Sequence, residues 1–318
     1  MEAAARLLMT GDVDGGRRSL GRAQADIASW SDFTRFLAGS LTARLALLDR
    51  DVGRARSIAD ELAGRLPGIK LPVNFQPWPQ LAMLYADLGR FDDALRAAEN
   101  IPSPLRERWL GVIHALRLAA GFPGAADLSR NAATELYRRD GISRDPVSAP
   151  VVLAYYFLTL GMVDELRDLA AKVKDDHSQT PPVLLEIDAH VAVAEGRIED
   201  AVRLFQSAKG GRIREPVALL RMASPLAKAL TAAGNWAEAA RVLETATATQ
   251  WRHYAINGPT SGWIATRNRL ANLYRSMGRA KEADVIDAEL LKLLAVADRD
   301  HPVLLRLKAR QVATTGGR

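Results

Sequence analysis

The stretch LYADLGRFDDALRAAENIP, Leu84 to Pro102, sets a glycine between two short amphipathic runs. Tyr85 lies four residues before Gly89, and Ala94 lies five residues after it. Asp92 and Asp93 open the second run, where acids suit the positive end of a helix dipole. The pattern reads as a helix, a turn and a second helix. Glycine ends the first helix because it tolerates the left-handed conformation of the cap. Alanine at 94 lets the two helices approach closely.

The same spacing recurs along the chain. Leu-Ala stands eight and seven residues before Gly89, Gly161, Gly234 and Gly278, as Leu81-Ala82, Leu153-Ala154, Leu226-Ala227 and Leu270-Ala271. Alanine follows five residues later at Ala94, Ala239 and Ala283, and Gly196 with Ala201 adds another copy. Arg50 takes the glycine's place in one copy, with Ala55 five residues on. Gly11 with Gly16, and Gly121 with Ala126, are looser copies, and Ala125 fits the second of these better as its small residue. Gly161 is followed by Leu166 where alanine is expected. The turns at 11, 50, 89, 121, 161, 196, 234 and 278 are 32 to 44 residues apart, which is the length of two helices and two turns.

Apolar residues recur at steps of three and four, as in Val151, Leu153, Ala154, Phe157, Leu158 and Leu160, which is helical and not strand spacing. Prolines fall mainly between hairpins, where helices start or stop. These features predict an all-α fold, a right-handed superhelical solenoid of about eight helical hairpins with a C-terminal capping helix. The array occupies 1–318, with divergent repeats over 1–75, regular repeats over 76–298 and the capping helix over 301–313. Its stability is expected to come from stacking of nearest neighbours.

Trp78, Leu81, Ala82, Tyr85, Gly89 and Ala94 together resemble the tetratricopeptide (TPR) pattern, although the later large aromatic is replaced by Ala98. Phe205 fills that position in the copy built on Gly196. The segment from Asn257 to Arg310 is similar to the C-terminal ends of bacterial TPR regions. In those proteins such a region follows a eukaryotic-like Ser/Thr kinase domain or a winged-helix DNA-binding domain. The features shared are Tyr274, Gly278, Ala283 and the turn from Ala297 through Asp298 and Asp300 to Pro302. The resemblance implies a cytoplasmic interaction or sensory module of a bacterial signalling system, with any effector domain outside this sequence. No kinase glycine-rich loop, His-Arg-Asp or Asp-Phe-Gly motif is present.

Composition narrows the function further. The chain has 318 residues, no cysteine, 48% hydrophobic residues and a net charge of +6. Thiolate metal sites and disulfides are thereby excluded. No run of about 18 apolar residues suggests a membrane span. The arginines are interleaved with acids over the whole length, so the basic balance does not form the concentrated face that nucleic acid requires.

The five histidines have no partner at zinc-site spacing, GDVDGG at 11–16 lacks the ligands of a calcium loop, and KGGR at 209–212 follows a helix and not a strand. No catalytic group, cofactor or metal is expected. Function is expected instead on the concave face built by the first helix of each hairpin. Counting back from each turn places Met83, Tyr155 and His190 in a largely apolar zone. Arg221, Lys228, Asn268, Asn272 and Arg275 form a polar zone suited to a carboxylate. The expected partner is a protein or peptide carrying an acidic segment or a free C-terminus.

Overall fold

The computed structural model describes residues 12–24, 31–68, 77–103, 105–122, 124–140, 150–176, 180–212, 216–248, 251, 255 and 260–315. Among these residues there are sixteen α-helices and no strand. The first five are α1 (Val13–Gln24), α2 (Asp32–Leu48), α3 (Val52–Arg65), α4 (Pro77–Asp87) and α5 (Phe91–Glu99). Next come α6 (Leu105–Ala120), α7 (Ala125–Asp140), α8 (Pro150–Leu160), α9 (Val163–Asp175), α10 (Pro181–Ala194) and α11 (Ile198–Arg212). The last are α12 (Pro216–Ala232), α13 (Trp236–Ala248), α14 (Thr260–Ser276), α15 (Ala280–Leu293) and α16 (Pro302–Thr315). The expected glycine turn at 11 lies outside the described residues.

Every other predicted turn is built the same way. Gly89, Gly121, Gly161, Gly196, Gly234 and Gly278 all have positive φ, between 69° and 88°. Arg50, the stand-in for glycine, has φ 63° and is the one non-glycine with positive φ among the described residues. At each turn the next residue's N–H reaches back to a carbonyl in the last turn of the helix. Arg90 N donates to Tyr85 O at 2.9 Å, Asn235 N to Leu230 O at 2.8 Å, and Asp51 N to Ala46 O at 2.9 Å. This pairing satisfies carbonyls that the helix end would otherwise leave open.

The residues that flank the turns make the hairpin interfaces. Leu81-Ala82, Leu153-Ala154, Leu226-Ala227 and Leu270-Ala271 are all buried, as are Ala55, Ala94, Ala201, Ala239 and Ala283. In the looser copy Ala125 is buried and Ala126 only half-buried, so the earlier register holds there. Leu166 is fully buried in place of alanine. Helices pair within hairpins, as α2 with α3, α4 with α5, α8 with α9, α10 with α11 and α12 with α13. Hairpins then stack through their first helices, α8 on α10 and α10 on α12.

By packing, the chain divides into two compact units. One comprises Leu110–Thr249 and Gly262–Asp287. One core in it joins Leu153, Phe157, Leu166, Leu169, Val173 and Ile187, with Tyr137 packed against it.

The other unit is assembled from three stretches, Met1–Trp109, Gln250–Ser261 and Ala288–Arg318. Stacking of nearest neighbours does not describe it, because its closing contacts join residues about two hundred positions apart. Asp298 accepts hydrogen bonds from the N–H groups of Phe91 (2.6 Å) and Asp92 (3.2 Å), capping α5. Its own N–H donates to Gly89 O at 3.1 Å. Asp87, buried at the end of α4, forms an ion pair with Arg44 and accepts from Thr260 N at 2.6 Å. Arg50 pairs with Glu289 at 2.7 Å and lies over the Trp251 ring, whose Nε1 donates to Leu48 O at 3.1 Å. Among the described residues no helix is long and apolar enough to cross a membrane.

The turns differ in what surrounds them. A Cβ on Gly89 would lie 2.8 Å from Ala297 Cβ and 3.2 Å from Leu294 Cδ2, whereas one on Gly161 would meet nothing within 4 Å. Gly161→Ala should therefore lose only the left-handed penalty, about 1 kcal/mol. Gly89→Ala should lose about 1–3 kcal/mol more from overpacking. Urea unfolding of both variants checks this, and equal losses would show that residues 294–297 do not pack on the turn.

Candidate functional site

The inner wall of the unit containing α8 to α13 gathers the most distinctive side chains. Helix α8 starts at Pro150 and buries Val151, Leu153, Ala154, Phe157 and Leu160. That leaves half-buried Val152, Tyr155 and Tyr156 and exposed Thr159 on one face, at steps of three and four. The Thr159 hydroxyl donates to Tyr155 O at 2.7 Å, so this polar group is satisfied within the helix.

Behind Tyr155 lies an aromatic ladder. The Tyr155 and His190 ring centroids are 6.3 Å apart, and His190 meets Phe205 edge-on at 5.2 Å. His190 and Glu186 are both fully enclosed on α10, with Nε2 3.8 Å from Oε1. The two side chains are one helical turn apart on the same face.

A further outward residue is Arg269, on α14. Its Nη1 donates to Ser224 O on α12 at 2.9 Å. Among the described residues it forms no ion pair with a carboxylate. Arg269 is open to solvent, yet surrounding protein depresses its guanidinium pKa, and the nearby Tyr155 hydroxyl acts weakly in the other direction. Tyr155 on α8 is thus near enough to act on the Arg269 guanidinium. Lys228, exposed on α12, is one helical turn beyond Ser224 and on the same face.

The predicted site residues separate accordingly. Tyr155 and Lys228 lie on this wall. His190 does not line it, because it is fully enclosed and supports Tyr155 from beneath. Asn268 is likewise buried, and its neighbour Arg269 takes the outward position. Arg275 is committed within its hairpin, with Nη2 at 2.7 Å from Asp284 and 2.8 Å from Asp287. Asn272 is exposed on α14, one turn after Arg269. Met83 is half-buried on α4, in the other unit, so it is not part of this group. Arg221 falls on α12, but its side chain lies outside the described residues.

Sequence reasoning missed Arg269 by one position. The counting rule put the outward residue ten before Gly278, and the helix presents the one nine before. Exposed Asn272 carried the signal, because position 269 is also on its face at a step of three. Elsewhere in the unit, Tyr274 donates to Glu244 at 2.5 Å, and burial together with this carboxylate pushes its hydroxyl up to about 12. That tyrosine packs a hairpin and is not poised for proton transfer near neutrality. Among the described residues no group of three His, Asp or Glu could hold a metal ion.

With this geometry in place, comparison with known proteins adds the following. A family profile described as Tetratricopeptide repeat matches residues 263–302, which span most of α14, all of α15 and the segment leading into α16. The crystal structure of NprR in complex with its cognate peptide NprX is similar to this chain at 14% identity and a TM-score of 0.42. That alignment covers 100% of this chain and 84% of the other. No curated protein matches.

The enclosed pair under Tyr155 makes a direct prediction. Glu186→Ala should cost about 3 kcal/mol, because it strands a buried partner. The double variant with His190→Phe should cost less than the sum of the two single variants. A double-mutant cycle by urea unfolding measures this, and additivity within about 0.5 kcal/mol would exclude the pairing.

Proposed function

We propose that the chain is a non-catalytic scaffold that holds a peptide, or an extended segment of a partner protein, against the inner wall formed by α8, α10, α12 and α14. The observation that carries this reading is Arg269: an exposed guanidinium bound to a backbone carbonyl and lacking an acidic counter-ion among the described residues. A cation in such surroundings gains most from an incoming carboxylate, which can accept two hydrogen bonds from its planar fork. Lys228 adds field without requiring a fixed geometry. Val152, Tyr155 and Tyr156 supply an apolar and aromatic strip for the neighbouring side chains of the segment. The carboxylate is either an acidic side chain or a chain terminus.

The test is retention of random nonapeptides by the full chain, using one pool with free C-termini and one with amidated C-termini. Arg269→Gln should reduce retention of carboxylate-bearing peptides by about 10- to 100-fold, the range of a hydrogen bond to a charged group. Asn268→Ala, beneath the surface, should leave the retained set unchanged. Loss of binding on amidation assigns the carboxylate to the terminus, and no loss assigns it to a side chain. Equal retention by wild type and Arg269→Gln overturns the proposal.

A further inference from the structure

The three-stretch unit has a contact with the properties of a switch. The turn between α4 and α5 is covered by the segment from Leu294 to Leu307. Ala297, Leu294 and His301 crowd Gly89, and the His301 ring stacks on Phe91 with centroids 5.9 Å apart and planes 26° apart. Asp298 holds the start of α5 by two hydrogen bonds. His301 is 2% exposed, and its N–H donates to Asp298 O at 3.0 Å, so ring and carboxylate belong to one short folded element. The hairpin beneath has its own turn bonds, Arg90 N to Tyr85 O and Gly89 N to Ala86 O, neither of which involves this segment.

We propose that residues 294–315 form an acid-released latch on the α4–α5 turn, with Asp298 fastening it and His301 sensing the proton. Burial first, and Arg306 second, disfavour a charged ring at 301. Charged groups on every side enter the balance. Asp300 favours a protonated ring, and Arg306, itself crowded by Arg310, opposes it. Asp298 and Asp92 also lie at the contact, with Asp92 N donating to the Asp298 carboxylate.

Burial dominates and lowers the His301 pKa to about 4 from the 6.5 of a free histidine. The released segment therefore takes up a proton first as pH falls through 6.5, and closure weakens progressively toward pH 4. Between pH 7 and pH 5.5 the closing equilibrium should fall about eightfold, by linkage between these two pKa values. Asp298 acts with the opposite sign, because burial raises its pKa in the closed state. Its influence grows only as pH nears the carboxylate range, so pH 5.5 is the informative point. What the latch holds shut is the apolar face of α16, Val303, Leu304 and Leu307, all of which are buried.

Hydrogen exchange by mass spectrometry on the full chain at pH 7.0 and 5.5, corrected for intrinsic rates, tests the latch. Peptides covering 87–95 and 294–310 should open about eightfold more at pH 5.5, while those covering 150–175 stay constant. His301→Phe, which keeps the stacked ring, should reduce the change to under twofold. A pH effect that survives His301→Phe, no pH effect in wild type, or equal opening in both units overturns the proposal. NMR titration of His301 in the wild-type chain decides the matter even if the variant fails to fold. A value near 4 upholds the latch and a value near 6.5 removes it.

Discussion

Each hairpin depends on one residue that turns left. An α-helix can reverse into an antiparallel neighbour within two or three residues only if its cap adopts positive φ, which lets the following N–H groups return to the last carbonyls. Six glycines and Arg50 do this with nearly the same hydrogen bonds. The flanking Leu-Ala pairs and the alanines five residues later then fall where two helices touch. Arg50 shows how strong the constraint is. The backbone is the same without glycine, and the side chain that bears the strain is held by Glu289 and Trp251.

What could be read in the sequence was what repeats. The turn register, the buried small residues and the helix starts at prolines all follow from local spacing. The displaced small residue at Ala125 followed as well. The closure of the three-stretch unit left no such trace. Asp87 with Thr260, Asp298 with Phe91, and Arg50 with Glu289 are single contacts between distant residues, and each occurs once. Asp298 was read as part of a turn into the last helix, which it is; nothing local indicated that its carboxylate also begins a different helix.

The inner wall was partly legible for a related reason. Helical spacing fixes which residues share a face to within about one position, and one position separates buried Asn268 from exposed Arg269. Charge was misjudged by the same approach. Arg275 seemed available until its hairpin partner supplied Asp284 and Asp287, whereas Arg269 has no such acid among the described residues. A cation's usefulness to a ligand depends on what does not neutralise it, and that depends on the second helix as much as on the first.

The unit built from three stretches also bears on how the polypeptide matures. Ribosomes deliver residues in order, so α2 to α5 emerge early, with Asp87, Gly89 and the start of α5 still uncovered. Their partners at 251, 260, 289 and 298 arrive only after all of α8 to α13 has been made. During synthesis the earliest hairpins are made long before these partners, and the middle unit too waits for Gly262–Asp287 to be made. Both units therefore become complete only when the C-terminal helices have been made.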